Sequence, residues 1–374
     1  MSSWLEAEAQ TPALLLDRAR LVRNLREMSE VARANRVELF PHAKTHRMVE
    51  FGRLQLTTGA DGLCVAKLGE AEELAAAGVG RIFVAFPVVG PGKARRAAEL
   101  AKHVDLTLGT DSVEGARDLG VSFSAAGRRA RVMLAVDSGL GREGVAPADA
   151  PDLAEAIAGL DGVELVGIFT HEGTVYDAAD RAELEASARR AGELMVRTAE
   201  SIRARGIPVP TVSLGSSASA RVVATVPGVT QIRPGIYAVN DRTQIVLGNA
   251  DLESTAIRVV ATVVSSFGGY RACIDAGSKA LGSDLVMASA HRAKHPGFGH
   301  VVTAPGWVIG RVSEEHGWLH WAGDGSPSPL RVGSRLEIVP NHACMVFAAL
   351  GKATVLEDEQ TIAVWHGMGP GSSE

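Results

Sequence analysis

Between about residues 18 and 240 the sequence alternates two textures, and this alternation limits the possible folds more than any other feature. Short apolar runs recur at 37–43 (VELFPHA), 62–66, 81–86, 104–108, 131–136, 163–170, 210–214 and 229–233. They show little polar–apolar alternation, as strands do when a parallel sheet is covered on both faces. Amphipathic stretches rich in Ala, Leu and Arg lie between them, notably 19–35, 67–78 and 181–206, the second closing on a Gly stop signal. Eight strands with helical partners fit a (β/α)8 barrel better than an open doubly wound sheet. The expected class is therefore α/β, with a TIM barrel over residues 15–245. A helix also precedes the first strand, which a minimal barrel does not require.

After about residue 245 helical periodicity is lost. Short runs rich in β-branched and aromatic residues, such as TAIRVVATVVSSF, RACIDAG, GWVIGRVSEEHGWLHWA and SRLEIVP, are broken by Gly, Asp, Asn and Pro. They predict a C-terminal mainly-β domain over 246–374. TPALLLD (11–17) and ATVLEDEQTIAVW (353–365) are candidates for one shared sheet, so residues 1–14 are assigned to the same, discontinuous domain. GMGPGSSE at the end reads as a frayed tail.

Of the 374 residues 46% are hydrophobic but only 5% aromatic, so Ala, Val and Leu must fill the core. The net charge of −5, without a basic stripe or polybasic run, argues against nucleic-acid and membrane-surface partners. No apolar run is long enough to span a bilayer, and MSSWLEAEAQTP lacks a signal-peptide core. Cys64, Cys273 and Cys344 are odd in number and widely spaced, which speaks against a disulfide framework. The expectation is a cytoplasmic enzyme acting on a small molecule.

Barrel active sites are built at the C-terminal ends of the strands. Lys44 lies just past the first strand, in PHAKTHR, between His42 and His46. A lysine used for Schiff-base chemistry must be partly desolvated to be neutral near pH 7, and a barrel mouth can supply that environment. A solvated surface lysine is the plain alternative. SLGSSASA (213–220) follows the seventh strand and RPGIYAVND (233–241) the eighth, the usual phosphate site of this barrel class. Gly215 and Gly235 permit close backbone approach. Ser216 and Ser217 offer donors where a helix could begin, though an ordinary helix cap would use the same residues. Arg142, in the Gly-rich DSGLGREGV after the fifth strand, could aim into the barrel toward a ring nitrogen or a carboxylate, or lie on the surface. HEGTVY adds His171 and Tyr176 to the same mouth.

NHAC (341–344) follows a strand-like run. On an extended segment His342 and Cys344 would point to one side. Imidazole and thiolate suit Zn²⁺, and two protein ligands would leave positions for water or substrate, as a Lewis acid requires. A buried free cysteine beside a surface histidine is the alternative.

Together PHAKTH, GLCVAKLGEAEELAAAG, GLGREGV, HEGTVY, GSSASA, RPGIY, IDAGSKAL, SEEHG and PNHAC resemble the D-serine dehydratase and D-threonine aldolase family, a branch of the fold-type III, alanine-racemase-like enzymes that use pyridoxal 5'-phosphate (PLP). The resemblance runs from TPALLLD to WHG. It implies Lys44 as the Schiff-base lysine, Arg142 near the pyridine nitrogen, and Gly215, Ser216, Gly235 and Tyr237 around the phosphate. It further implies His171 and Tyr176 along the cofactor face, and Zn²⁺, Mn²⁺ or another divalent metal on His342 and Cys344 beside the substrate's β-hydroxyl. It also implies a head-to-tail homodimer. Aldolase-like members tend to carry Asp at the second metal position; Cys344 and the GSSAS loop resemble the dehydratase branch.

The activity so implied is dehydration of a D-β-hydroxy amino acid such as D-serine, D-threonine or 3-hydroxy-D-aspartate to a 2-oxo acid and ammonia. The Lys44 amine would act as α-proton base and the metal would assist hydroxide departure. Retro-aldol cleavage to glycine and an aldehyde uses the same groups and is the alternative. Racemisation lacks an evident second base. A non-catalytic PLP-binding barrel would not need the β-domain or the HAC pair.

Overall fold

The computed structural model describes residues 10–369 and Ser372; residues 1–9 of the expected β-domain, and 370, 371, 373 and 374 of its tail, lie outside the described residues. Strand β1 (Ala13–Asp17) leads directly into α1 (Arg18–Asn35), where the Asp17 side chain accepts the Arg20 N–H at 2.9 Å and so caps the helix. The chain then alternates: β2 (Glu38–Leu39), α2 (Val49–Thr57), β3 (Leu63–Val65), α3 (Leu68–Ala76), β4 (Arg81–Pro87), α4 (Pro91–Leu100), β5 (Asp105–Thr110) and α5 (Val113–Ala125). It continues through β6 (Ala130–Ala135), α6 (Ala150–Ala158), β7 (Val163–Phe169), α7 (Arg181–Arg203), β8 (Thr211–Leu214), α8 (Ala220–Val223), β9 (Gln231–Ile232) and α9 (Arg242–Val246). Each of the eight expected apolar runs overlaps one of the strands β2 to β9.

These eight strands are all parallel, in the order β2-β9-β8-β7-β6-β5-β4-β3. The two ends meet beyond β2, where His42 and Cys64 form a parallel bridge and the Cys64 N–H reaches the Pro41 carbonyl at 2.9 Å. Closure leaves alternate side chains facing inward, and Phe40, Cys64, Phe83, Met133, Ala135, Val166 and Phe169 pack together there. Phe83 meets Phe169 edge-on at 5.2 Å. At the N-terminal ends of the strands, Glu38, Arg81, Asp105 and Arg131 form a chain of ion pairs.

Two connections differ from a regular barrel. After β8 and β9 the helices shrink to four and five residues. Both short helices follow the loops expected to bind an anion.

The second layer is a nine-stranded sheet. It contains β10 (Ile257–Phe267), β11 (Arg271–Ile274), β12 (His300–Val301), β13 (Trp307–Val312), β14 (Gly317–Trp321), β15 (Arg335–Val339), β16 (Lys352–Glu357) and β17 (Gln360–His366), together with β1. Two further helices interrupt it, α10 (Ser278–Leu281) and α11 (Ala343–Leu350). The main path runs β13-β14-β11-β10-β1-β16-β17, with β15 pairing both β10 and β12. Strand β1 is antiparallel to β10 and parallel to β16, which ties the N-terminal segment to the far end of the chain. No helix among the described residues is long and apolar enough to cross a membrane.

Candidate active site

At the end of β2 the chain makes a 3-10 turn, Ala43–Thr45, that presents Lys44 at the C-terminal mouth of the barrel. Its side chain is exposed there and lines a cavity of about 1100 Å³. His42 lines the same cavity. Its ring is buried, its Nδ1 has no hydrogen-bond partner, and burial followed by the charges of Lys44, Arg233, His171 and Arg142 holds its pKa well below the usual histidine value. His46 turns the other way. It stacks on Phe51 at 4.0 Å, accepts the Met48 N–H on Nδ1 at 3.0 Å, and faces Gln55 Oε1 with Nε2 at 3.2 Å. Of His42, Lys44 and His46, the first two face the cavity and the third is a packing residue.

Arg142, Glu143, His171, Glu172, Tyr176, Gly215, Ser216, Ser217, Gly235, His342 and Cys344 line this cavity as well. Arg142 sits at its rim with its side chain 52% exposed and pairs with the neighbouring Glu143, so it is not buried in the barrel. The deeply held cation is Arg233. It lies buried between Phe83 and Phe169, 5.6 and 5.5 Å from the ring centres, with Nε donating to Ser213 Oγ at 2.8 Å and the guanidinium donating to the Thr170 carbonyl. The sequence reading valued RPGIY for its glycine and passed over this arginine.

Burial lowers the pKa of His171 to about 4, against the opposing pull of Glu172. Burial pushes the Tyr176 hydroxyl above the normal phenol range, with Ser216 opposing the shift. The loop after β8 turns at Gly215, with φ of +108°. Its Ser217 Oγ accepts the N–H groups of Gly235 (3.1 Å) and Tyr237 (3.0 Å) from the loop after β9. A side chain on Gly235 would come within 2.4 Å of Thr45 Oγ1, so the loop after β9 packs this closely against the Lys44 turn only with glycine here. The Tyr237 ring is buried against Gln55 and does not line the cavity; only its backbone N–H faces the loop pair.

His342 and Cys344 reach the cavity in a different way from strand alternation. His342 is the extended N-cap of α11 and Cys344 the second residue of that helix. Asp241 fixes the turn by accepting the Ala343 N–H at 3.0 Å and the Gln244 N–H at 3.0 Å. His342 Nδ1 bonds Asp284 at 2.6 Å, which leaves Nε2 for other partners. Burial lowers the His342 pKa, but Cys344, Asp241 and Asp284 outweigh it and carry the group up to about 9. Cys344 Sγ lies 3.6 Å from Thr45 Oγ1, next to the Lys44 turn. Phe347 on α11 packs edge-on against His46 and Phe51, holding this helix to the turn. Among the described residues no group of three or more His, Cys, Asp or Glu side chains is placed to hold a metal. Glu172, Asp284 and Arg233 were missed in the sequence because their partners are remote in the chain.

Residues 16–242 match the family model described as alanine racemase, N-terminal domain, and residues 256–356 match the putative serine dehydratase domain. The chain is 32% identical over 373 residues to D-threo-3-hydroxyaspartate dehydratase of Delftia sp. (strain HT23), covering 95% of this chain and 96% of that protein. It is 29% identical to a D-threonine aldolase of an Arthrobacter species, covering 96% and 92%. The solved structure of the Delftia protein superimposes with a TM-score of 0.87 at 30% identity, covering 98% of this chain and 99% of that one. D-Threonine aldolase from Filomicrobium marinum gives the same TM-score of 0.87 at 29% identity, covering 96% and 95%. The closed parallel barrel, the appended β-sheet and these full-length matches together show that the chain belongs to the alanine-racemase-like family, in the branch that joins this barrel to a serine-dehydratase-type domain.

Proposed function

We propose that the protein is a PLP- and divalent-metal-dependent lyase that dehydrates a D-β-hydroxy amino acid to a 2-oxo acid and ammonia. The observation that carries this reading is the single cavity shared by Lys44, the paired loops after β8 and β9, and the His342–Cys344 donor pair. The relatives named D-threo-3-hydroxyaspartate dehydratase and D-serine dehydratase support it.

The residues present suit both groups. The two N–H donors converging on Ser217 Oγ show a loop pair wired to an oxygen acceptor, as a phosphate requires, and the orphaned His42 Nδ1 is a buried polar atom in the cavity wall. An imidazole and a thiol at a helix N-terminus suit Zn²⁺, with Mn²⁺ or another divalent ion as substitute. Bound there, PLP supplies an electron sink for the α-carbon and the metal a Lewis acid for the β-hydroxyl.

Lys44 would hold the cofactor through its Nζ, and its amine, when not so engaged, is the group placed to take the α-proton. Loops 215–217 and 235–237 anchor the phosphate. Arg142 at the rim is assigned to the ring-nitrogen end, with Arg233 a second fixed cation deeper in the barrel. His171 and Tyr176 line the cofactor face, and neutral His171 neither competes with nor repels the ammonium of the substrate. His342 and Cys344 would hold the metal, which would supply a Lewis acid toward the β-hydroxyl.

The competing reading is retro-aldol cleavage, favoured by the relatives named aldolases. Purified protein supplied with PLP and Zn²⁺ is incubated with D-serine, D-threonine and 3-hydroxy-D-aspartate. A 2-oxo acid with stoichiometric ammonia is expected; glycine with an aldehyde would establish the aldolase instead, and no turnover of any D-amino acid would leave a PLP-binding protein. Lys44→Ala is expected to lose the visible absorption of lysine-bound PLP. Cys344→Ala, or chelation, is expected to stop elimination while PLP stays bound. A cytoplasmic homodimer completes the proposal, and light scattering on purified protein tests the dimer.

A further inference from the structure

The loop after β8 is built around a negative charge that phosphate binding does not call for. Glu172, between His171 and Gly173, is only 1% exposed. Its carboxylate accepts the N–H of Gly215 at 3.2 Å, the N–H of Ser216 at 2.5 Å, and the hydroxyl of Ser219. Ser219 Oγ also accepts the Ser216 N–H at 3.0 Å, so carboxylate and hydroxyl close one network around the first half of the loop. These two amides are the donors that a phosphate loop would be expected to spend on its anion. A carboxylate already occupies them, and a second anion on the same N–H groups would meet like charge at short range.

The other half of the loop is arranged differently. Ser217 points across to the loop after β9, where the amides of Gly235 and Tyr237 converge on its hydroxyl. The two amides there are held by a neutral hydroxyl and not by a carboxylate, so an anion can share them without meeting like charge, and the Ser217 O–H is a further donor. We propose that Glu172 is a positioning residue that divides the cradle in two. It locks the Gly215–Ser216 half into shape, so that the Ser217 half and the Gly235–Tyr237 turn grip the phosphate.

The physical gain is preorganisation. Gly215 sits at positive φ, and a turn pivoting on such a residue has many conformations to lose on binding. Three hydrogen bonds to one buried carboxylate remove that freedom before the ligand arrives. The same charge also faces His171, where it opposes the burial and the surrounding cations that favour the neutral ring. This inference rests on the PLP reading of the cavity.

The test compares PLP with pyridoxal, which lacks the phosphate, by absorbance and fluorescence titration of the full chain. In wild type both are expected to form the lysine-bound band, PLP far more tightly. Glu172→Ala leaves both buried amides without their acceptor, and Glu172→Gln sets an NH2 donor against one of them; PLP affinity is expected to fall about tenfold or more. Pyridoxal affinity is expected to stay unchanged, and competition by inorganic phosphate to weaken in parallel with PLP. Ser217→Ala should reproduce the loss with the Glu172 network intact. If the Glu172 variants do not fold, Ser219→Ala, which removes one of the three contacts, carries the test with the same expected pattern. Unchanged or tighter PLP binding in folded variants overturns the inference, as does an equal loss for PLP and pyridoxal. Failure of wild type to form the band with either aldehyde overturns the cofactor reading instead, so the two failures are distinguishable.

Discussion

His46 is placed two residues from Lys44, yet its surroundings make it a stability group, and its titration gives a direct measure of how the Lys44 turn is held. Burial holds its pKa down to about 3, with the Gln55 and Met48 hydrogen bonds opposing the shift, against an ordinary value of 6.5. The folded protein therefore keeps this ring neutral in a range where the unfolded chain protonates it. With the folded pKa depressed, the neutral ring costs nothing above pH 6.5, and stability falls as pH drops from 6.5 toward 3. At about 1.36 kcal/mol per pKa unit, the loss between pH 7.5 and 4.5 is roughly 2–3 kcal/mol. His46→Phe retains an aromatic ring for Phe51 and Phe347 but cannot titrate. It also orphans the buried Met48 N–H, at a cost of about 1–3 kcal/mol that does not depend on pH. The variant is thus expected to be less stable than wild type at pH 7.5 and to recover roughly 2–3 kcal/mol of that deficit at pH 4.5. Urea unfolding followed by tryptophan fluorescence reads the difference, since Trp365 packs on Phe51 in this cluster. His42 and His171 titrate in the same direction but are common to both proteins and cancel in the comparison. Parallel stability curves for the two proteins over this range would refute the buried, neutral assignment of His46.

Three further outcomes test the packing around the site. Gly235→Ala places a carbon 2.4 Å from Thr45 Oγ1 and 3.1 Å from the His42 carbonyl, so about 1–3 kcal/mol of overpacking is expected, read as a lower Tm; an unchanged Tm would contradict the close approach of the loop after β9 to the Lys44 turn. Asp284→Asn is expected to weaken zinc binding about 10–100-fold in a chelator competition, because the carboxylate orients His342 through Nδ1, and equal affinities would show that the orientation comes from elsewhere. Phe123→Ala, emptying a fully buried site on α5, is expected to cost about 3–5 kcal/mol in urea unfolding, and a loss under 1 kcal/mol would mean that the helix–barrel interface collapses into the space.

The eight barrel strands were readable because burial on both faces leaves an apolar run that few other structures require. What lay hidden has a common physical origin in hydrogen bonds between residues far apart in the chain. His342 and Cys344 were read as neighbours on a strand, but Asp241, 102 residues before Ala343, turns that segment into a helix start. The oxygen partner of His342 Nδ1 comes from Asp284, 58 residues away. Glu172 is spelled out in HEGTVY, yet nothing local marks a glutamate as buried when its partners lie 43 to 47 residues downstream. The same reasoning explains PHAKTHR. His42, Lys44 and His46 looked alike in sequence, and their fates were decided by what waits around each: an open cavity for Lys44, a buried place in its wall with Nδ1 unpartnered for His42, and Phe51, Met48 and Gln55 for His46. Motifs of this kind name the chemistry available at a strand end. The distant acceptors then determine which donor and which lone pair remain for a ligand, and that is why a carboxylate missing from every local reading sits at the centre of the loop after β8.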